Sequence, residues 1–297
     1  MPHRIVVFLL AAVLGAVTAR AEDLDATLKK IKESGIISLG HRESSIPFSY
    51  YDNEQRVIGY SQELALLAVD AIKKELKLPR LEVKLTPITS QNRIPLVQNG
   101  TIDLECGSTT NNLERQKQVA FSDSIFVIGT RLLTRKDSVV KDFADLKGQN
   151  VVTTAGTTSE RLLRKLNDDK QLGMSIVSAK DHDESFLMVE SGRAVAFMMD
   201  DALLAGEMAK AREPGAWHIV GAPQSREAYG CMMRKEDAGL KKLVDGAVAG
   251  AMKSGAAEKL YKKWFQSPIP PKGLNMNLPL SDDMKALFKD PNDRALE

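Results

Sequence analysis

The sequence predicts an α/β protein made of two lobes that are joined by two crossovers of the chain. Strand-like and helix-like apolar patterns alternate along the sequence, which is typical of a mainly parallel sheet with helices on both faces. The alternation restarts near residue 143, which indicates a second α/β unit of roughly ninety residues nested inside the first. Two crossovers between such units form a hinge.

The chain begins with the features of a secretory signal. Residues 1–4 are short and basic, residues 5–17 are apolar, and residues 19–21 match the small-x-small cleavage pattern. The apolar run is too short to span a membrane comfortably. We predict a signal peptide over residues 1–21, cut after Ala21, with an uncleaved anchor as the alternative.

Cleavage changes the charge of the protein. The full chain has 41 Lys and Arg against 39 Asp and Glu, and two of the arginines lie within residues 1–21. The mature chain of about 276 residues therefore has a formal charge of zero, and it contains no other long apolar stretch. This balance gives no support to binding of nucleic acid or of a membrane surface.

The first lobe is predicted over residues 22–132 and again over 225–297. Its helices are predicted from apolar residues spaced three and four positions apart. Its strands are predicted from alternating apolar and polar residues and from short apolar runs. The predicted elements are strand 36–40, helix 63–76, strand 81–85, helix 90–99, strand 102–106, strand 230–234, a helical tail over 236–264 and an extended surface strap over 267–271.

The second lobe is predicted over residues 133–224. The predicted elements are an entry strand at 129–134, strand 150–154, a helix from 156 to about 166, strand 175–178, helix 181–191 and strand 194–199. Ligands of such sheets lie at the carboxyl ends of the strands, so the cleft between the lobes is the predicted site.

The sequence contains two cysteines, Cys106 and Cys231. An even number of distant cysteines in an exported protein suggests one disulfide. Two buried free thiols are the alternative.

Four polar clusters follow predicted strands. The first contains Ser108, Thr110 and Arg115, and its hydroxyls, helix start and guanidinium suit a carboxylate. The second is the segment 156–160, where Thr157 and Glu160 also form a helix capping box, so capping alone is the alternative.

The third cluster places Arg42, Ser90 and Arg93 at a strand exit and a helix start, although a lone arginine is usually a solvated surface residue. The fourth pairs His182 with Asp200, which ends a buried strand and is well placed to accept an ammonium group. Asp201 is expected to point the other way.

The sequence offers little for covalent chemistry. It contains no H-E-x-x-H, C-x-x-C or G-x-S-x-G pattern and no phosphate-binding loop, and its four histidines are scattered. We therefore expect no catalytic residues, no metal site and no cofactor.

Several motifs resemble the periplasmic polar-amino-acid-binding proteins of ABC importers, solute-binding protein family 3, over essentially the whole mature chain. The motifs that carry this resemblance are Pro47-Phe48, Tyr51-Asp52, Gly59-Tyr60, segment 98–103, Arg115 with segment 121–123, and segments 145–148, 156–158, 192–196 and 200–202. Segments 40–45, 90–93, 106–112 and 179–182 resemble, more narrowly, the members of this family that bind glutamate and aspartate.

The resemblance implies a two-lobed type II periplasmic-binding-protein fold that closes on its ligand in the periplasm. Arg115 then pairs with the ligand α-carboxylate, helped by Ser108, Thr110 and Thr158. Asp200 receives the α-ammonium, with Ser108 as a second acceptor. The side-chain carboxylate is held by Arg42, Ser90, Arg93 and His182. Many relatives have a threonine where this chain has Asn112.

The residues themselves suggest a reason for acidic selectivity. One aspartate faces as many as three arginines, and this excess of positive charge suits a dicarboxylic ligand. The resemblance implies a monomer that captures L-glutamate and L-aspartate and delivers them to the transmembrane permease subunits of an ABC importer. The alternatives are a periplasmic dehydratase of the same fold acting on a prephenate-like dicarboxylate, and a receptor that feeds a chemosensor.

Overall fold

The structure is a computed structural model that describes residues 24–273 and 275–296. The predicted signal peptide over residues 1–21 lies outside these residues. The helices of the described residues are α1 (Ala26–Ser34), α2 (Tyr60–Glu75), α3 (Arg93–Gln98), α4 (Leu113–Gln116), α5 (Thr158–Asp169), α6 (His182–Glu190), α7 (Asp201–Lys210), α8 (Ala238–Lys253), α9 (Ala256–Phe265) and α10 (Asp282–Lys289). Short 3₁₀ helices span Phe143–Leu146 and Pro214–Ala216.

The strands of the same residues are β1 (Ile36–His41), β2 (Ser44–Ser45), β3 (Ser49–Tyr51), β4 (Val57–Ile58), β5 (Glu82–Pro87), β6 (Leu104–Glu105), β7 (Thr110–Asn111), β8 (Val119–Ile128), β9 (Thr130–Arg135), β10 (Asn150–Thr154), β11 (Ser175–Ala179), β12 (Ala196–Asp200), β13 (Trp217–Val220) and β14 (Glu227–Arg234).

The first sheet has the strand order β5-β1-β6-β14-β7, and β8 also pairs with β14. Strand β1 is parallel to β5 and β6, whereas β14 is antiparallel to β6, β7 and β8. The short strands β2, β3 and β4 form a separate antiparallel sheet.

The second sheet has the order β11-β10-β12-β9-β13. Strand β10 is parallel to β11 and β12, and β9 is antiparallel to β12 and β13. The predicted α/β class is therefore confirmed, but both sheets are mixed rather than mainly parallel. The antiparallel strands are those next to the crossovers, where the chain enters one sheet directly from the other.

The chain changes sheet at two places that lie against each other. It leaves the first sheet after Ile128 and enters the second at Thr130, and it returns between Val220 and Glu227. A Cβ atom added at Gly129 would lie 2.8 Å from Cβ of Pro223, so the two crossovers need a glycine where they meet. The lobe bounds 22–132, 133–224 and 225–297 stay a prediction that these crossings support.

Several predicted elements differ from the structure at their ends. The helix predicted from Ser90 begins at Arg93, because Thr89 and Asn92 exchange side-chain hydrogen bonds with each other's backbone N–H and form a turn first. The helical tail is broken at Gly255, which has φ of +77°, into α8 and α9. The strap over 267–271 is not extended throughout, since it enters a turn at Pro270.

The core of the first sheet is rich in aromatic rings. The ring of Phe48 meets those of Tyr60, Phe126, Tyr229 and Phe265 edge-on, at centroid distances of 4.9 to 6.4 Å. Burial of each such ring stabilises the fold by about 1.5–3 kcal/mol. These rings all belong to one buried apolar cluster. In the described part of the chain, no helix is long and apolar enough to cross a membrane.

The predicted disulfide between Cys106 and Cys231 is confirmed, and the two Cα atoms lie 4.3 Å apart. Cys106 follows β6 and Cys231 lies within β14, which are antiparallel neighbours. The bond therefore ties the strand after the second crossover to the centre of the first sheet.

Candidate functional site

The nine predicted ligand-binding residues come from strand ends and helix starts of both sheets. Arg42 follows β1, Asp200 ends β12, and His182 begins α6. Contacts join the two sides, because the Thr110 and Thr158 hydroxyl oxygens are 3.4 Å apart and Arg115 Nη2 is 3.4 Å from the Gly156 carbonyl oxygen. Ser90 lies in the turn before α3, next to Gln91, which packs against Gly156.

The three arginines are almost completely buried, with Arg42 and Arg93 2% exposed and Arg115 3%. Burial lowers the pKa of Arg42 to about 10 and that of Arg115 to about 9, and the charge of Arg93 adds to both effects. A buried guanidinium is costly unless an anion and hydrogen-bond acceptors surround it. These three buried arginines therefore require negatively charged groups near them, from the protein or from a ligand.

Arg115 is held at the start of α4. Asn112 caps this four-residue helix by accepting the Arg115 backbone N–H through its side-chain oxygen, at 2.9 Å. Arg115 Nη1 donates to the Thr110 carbonyl oxygen, also at 2.9 Å. Asn112 thus fixes the backbone that carries the guanidinium.

Arg93 is anchored on the segment after β6. Its Nη1 donates to the Ser108 carbonyl oxygen at 3.0 Å and to Thr109 Oγ1 at 2.6 Å. The bond from Arg42 Nη1 to Ser108 Oγ is long, at 3.5 Å. The two guanidinium groups therefore flank Ser108.

Glu105 is a buried carboxylate that the sequence interpretation missed. It accepts a hydrogen bond of 2.7 Å from Thr109 Oγ1, which ties it to the support of Arg93. Burial raises the pKa of Glu105, and the charges of Arg93 and Arg42 oppose this rise. The signal for Glu105 was present in the sequence: an acid within a strand, directly before a disulfide cysteine, is unusual on an apolar sheet.

Asp200 is the centre of a second polar group. Its Oδ1 accepts from Ser159 Oγ at 2.9 Å and from Thr130 Oγ1 at 3.4 Å, and its Oδ2 accepts from the Tyr229 hydroxyl. Burial and the charge of Glu227 raise the pKa of Asp200 to about 7. Asp201 diverges as expected, since its carboxylate accepts the backbone N–H of Ala202 at the start of α7.

Glu227 is the other functional candidate that the sequence interpretation missed. Its Oε2 accepts from the Thr110 and Thr158 hydroxyls at 2.6 and 2.7 Å, and its Oε1 accepts from Ser225 Oγ at 2.9 Å. No local pattern marks Glu227, because two of its three partners, Thr110 and Thr158, are 117 and 69 positions away in the sequence.

These carboxylates correct the predicted charge count. The sequence interpretation set three arginines against Asp200 alone, whereas Glu105 and Glu227 are also buried beside the same arginines. The formal count is then three cations against three carboxylates. An excess of positive charge is therefore the wrong reason for acidic selectivity, and the positions of the charges must decide it instead.

His182 is buried in its neutral form. Burial, followed by the charges of Arg42, Arg93 and Lys210, lowers its pKa well below the ordinary value. Its Nδ1 is 2.8 Å from Thr154 Oγ1, while its Nε2 has no hydrogen-bond partner in the described protein. The protonation state that the sequence left open is thus set first by burial and then by the neighbouring cations.

The predicted capping at segment 156–160 is present in altered form. Thr157 Oγ1 accepts the Glu160 backbone N–H at 3.0 Å, but the Glu160 side chain accepts from the N–H of Gly156 rather than from that of Thr157. Capping therefore uses Thr157 and leaves the next residue, Thr158, facing Thr110 and Glu227.

Comparison with known proteins shows which family this chain resembles. The family model "Bacterial extracellular solute-binding proteins, family 3" matches residues 37–267. The "Glutamate/aspartate import solute-binding protein" of Salmonella typhimurium is 66% identical, and the match covers 95% of each chain. The "L-glutamate/L-aspartate-binding protein" of Pseudomonas aeruginosa is 62% identical over 97% of this chain and 96% of its own.

A solved structure agrees with the fold. The crystal structure of an ancestral amino acid-binding protein, a precursor of cyclohexadienyl dehydratase, is similar with a TM-score of 0.70 and 30% identity, over 80% of this chain and 99% of its own. The family match covers most of the chain, and the relatives match it along almost their full length. The chain therefore belongs to family 3 of the bacterial extracellular solute-binding proteins.

Proposed function

We propose that this protein is a periplasmic solute-binding protein that captures L-glutamate and L-aspartate and delivers them, as a monomer, to the permease subunits of an ABC importer. Membership of the family supports binding and transport. The names of relatives that share 62 to 66% of their residues with this chain support the two acidic ligands.

One observation carries the choice of ligand. Ser90 Oγ, Arg93 Nε and His182 Nε2 are buried polar atoms with no hydrogen-bond partner in the described protein. Unpaired buried polar atoms cost about 1–3 kcal/mol each, so a ligand that satisfies them gains that free energy on binding. The guanidinium of Arg42 lies beside Arg93 and His182. This end of the cleft suits a second, side-chain carboxylate.

The other end of the cleft suits the groups that all amino acids share. Arg115 would pair with the α-carboxylate and Asp200 with the α-ammonium, and Ser108, Thr110 and Thr158 line the space between them. Arg115 and Asp200 interact electrostatically, so both charges can meet one small zwitterion. The spacing of the two ends, rather than a surplus of cations, would select for a short dicarboxylate.

Binding would couple to closure of two lobes about the crossovers at residue 129 and within residues 221–226. Several contacts join elements of the first sheet to elements of the second, including Arg115 with Gly156 and Thr110 with Thr158. A ligand held from both sides stabilises the form in which these contacts exist, and a permease can recognise that form.

Calorimetry on protein stripped of ligand tests this function. L-glutamate and L-aspartate are expected to bind tightly, and L-glutamine and L-arginine to bind at least about a hundredfold more weakly. Tight binding of glutamine without heat from glutamate would contradict the proposed ligand.

We also propose that the protein is not an enzyme. The relatives are named as import and binding proteins, and Asp200, the candidate acid with a pKa near 7, is assigned to the ligand ammonium. The dehydratase alternative predicts turnover of prephenate or arogenate, which is measured by absorbance of the aromatic product. A receptor for a chemosensor would share this site and differ only in its partner.

A further inference from the structure

Glu227 joins both sides of the cleft to the second crossover through one carboxylate. Thr110 belongs to the first sheet, Thr158 begins α5 beside the second sheet, and Ser225 precedes β14. All three hydroxyls lie within 2.6 to 2.9 Å of the Glu227 oxygens.

The direction of these hydrogen bonds determines whether the threonine hydroxyls can donate to a ligand or only accept from it. A threonine hydroxyl has one hydrogen and two lone pairs. Since a carboxylate only accepts, Thr110 and Thr158 each give their single hydrogen to Glu227. Their oxygens, 3.4 Å apart, therefore have only lone pairs left for other groups. Lone pairs accept from an ammonium group and repel a carboxylate.

We propose that Glu227 is a positioning residue that turns the hydroxyl oxygens of Thr110 and Thr158 towards the ligand α-ammonium as acceptors. This inference rests on the proposed function, and it reassigns both threonines from the α-carboxylate to the α-ammonium. Recognition of the α-carboxylate then falls to Arg115.

Asp200, the predicted ammonium partner, belongs to the same network. Ser225 Oγ is 2.7 Å from Thr130 Oγ1, which in turn is 3.4 Å from Asp200 Oδ1. Ser225 donates its hydrogen to Glu227, and the single hydrogen of Thr130 can serve only one of its two contacts, so a row of close oxygen contacts, rather than an unbroken chain of hydrogen bonds, links Glu227 to Asp200. The two carboxylates and the two threonine oxygens together make one cation-accepting end of the cleft, apart from the end that contains the unpaired atoms Arg93 Nε and His182 Nε2.

A purely structural role for Glu227 predicts a different result. If Glu227 serves only to hold the two sides of the cleft together, its loss weakens every ligand equally. Glutarate separates the two roles, because it has both carboxylates of glutamate and no ammonium group.

The test compares L-glutamate and glutarate by calorimetry, and by the ligand-dependent rise in melting temperature for weak binding. In Glu227→Gln the amide can donate to a threonine oxygen, which turns that hydroxyl hydrogen towards the cleft. The Kd of glutamate is expected to rise at least about tenfold and that of glutarate to change less than about threefold. Glu213→Gln, on an exposed loop, is the matched control and is expected to change neither.

Equal losses for both ligands, or an unchanged Kd for glutamate, would overturn the proposal. A double-mutant cycle gives an independent reading that needs glutamate alone. Thr158→Val is expected to raise the Kd of glutamate in the wild-type background, but to raise it by less than about a further twofold in the Glu227→Gln background. Thr158→Ser keeps the hydroxyl and is expected to keep the Kd of wild type. Additive losses would also overturn it. Failure of the proposed function itself is distinguishable, since wild-type protein would then give no heat with glutamate.

Discussion

Among single residues, Arg93 shows how the ligand-free protein holds a buried cation in a fixed position. Its charge is buried beside Glu105, and Thr109 links the two by accepting from Arg93 and donating to Glu105. Part of the Arg93 donor set is thereby used for support, while Nε stays unpaired. The same residue thus contributes to stability and to binding through different atoms.

Replacing Arg93 by alanine is expected to affect both properties. It leaves Glu105 buried without its strongest cationic neighbour, so the free energy of unfolding should fall by about 3 kcal/mol. The Kd of glutamate should rise about a hundredfold, more than that of any neutral amino acid. Urea unfolding and calorimetry measure the two effects.

A second variant separates these effects. Arg93→Ala with Glu105→Gln removes the uncompensated carboxylate, so most of the lost stability should return while glutamate affinity stays low. Arg115→Ala is the comparison, because it is expected to weaken all amino acids alike. Recovery of glutamate binding in the double variant would show that Arg93 acts only through the fold.

The hydrogen bonds around His182 predict a proton taken up with the ligand. Ser185 Oγ donates to the Asp181 carbonyl oxygen, so at its 2.8 Å contact with Thr154 it must accept. Thr154 then accepts from His182 Nδ1–H, which leaves Nε2 as a bare acceptor. A ligand carboxylate beside Nε2 therefore raises the His182 pKa and draws a proton onto it.

The direction in which glutamate affinity changes with pH follows from where protons are gained or lost on binding. His182 is neutral in the free protein and gains a proton when the ligand binds, so this residue makes glutamate bind more tightly as pH falls. Asp200, with a pKa of about 7, acts in the opposite sense, because an ammonium partner lowers its pKa and releases a proton. Calorimetry in buffers of different ionisation enthalpy should show up to one proton more taken up by wild type than by His182→Gln. Equal proton numbers would refute this mechanism.

At the scale of elements, β14 connects the cleft to the fold. Glu227 at its start binds the two threonines, Tyr229 donates to Asp200, and Cys231 bonds to Cys106. These residues alternate along the strand and project towards the site and its support. The strand that follows the second crossover is therefore held at its start by Glu227 and near its middle by Cys231.

Removing the disulfide should test how much that attachment stabilises the fold. The bond spans 125 positions of the sequence, and closing a loop of that size stabilises a protein by about 4–5 kcal/mol in the chain-entropy account. Cys106→Ser with Cys231→Ser should lower the free energy of unfolding accordingly, with less than about a threefold change in the Kd of glutamate. Unfolding curves that match those of the oxidised wild type would contradict this expectation.

At the scale of the whole molecule, the two sides of the cleft approach through glycines. A Cβ atom at Gly156 would lie 2.8 Å from the Gln91 backbone, and one at Gly206 would overlap the carbonyl oxygen of Ile46. Gly206 lies within α7, next to the second sheet, whereas Ile46 precedes β3. Backbone from one side thus packs directly on the other.

Gly206→Ala should therefore prevent closure without harming the separate parts. Alanine favours a helix over glycine by about 1 kcal/mol, so the melting temperature of ligand-free protein should hold or rise. The Kd of glutamate should nevertheless rise at least about tenfold, because the overlap with Ile46 exists only when the sides meet. Small-angle scattering with saturating glutamate should show no compaction.

Gly246→Ala is the matched control for this change. Gly246 also lies within a helix, α8, and a Cβ atom there would meet no heavy atom within 4 Å. It should raise stability and leave both affinity and compaction as in wild type. Normal glutamate binding by Gly206→Ala would mean that the two sides need not come this close.

Much of this protein could be predicted from local pattern. Strand β10 was predicted with its observed ends, because apolar periodicity acts within a few residues. The α/β class was confirmed in the same way, and residues such as Arg42 and Asp200 were predicted at strand ends, because neighbours in sequence carry these signals. The disulfide was confirmed for another reason, since the count of two cysteines in an exported chain leaves one possible pair.

Only the tertiary structure decided the balance of charge and the direction of hydrogen bonds. Glu105 and Glu227 lie on adjacent strands that are more than a hundred positions apart in sequence, so no local pattern brings them to the same arginines. The acceptor role of the threonine oxygens, the neutral state of His182 and the contact at Gly206 depend likewise on groups from the opposite side of the cleft. The sequence by itself determined which chemical groups the strand ends and helix starts carry. Long-range packing determined which of these groups are charged and in which direction their hydrogen bonds run, because burial and electrostatic interaction depend on distances in space.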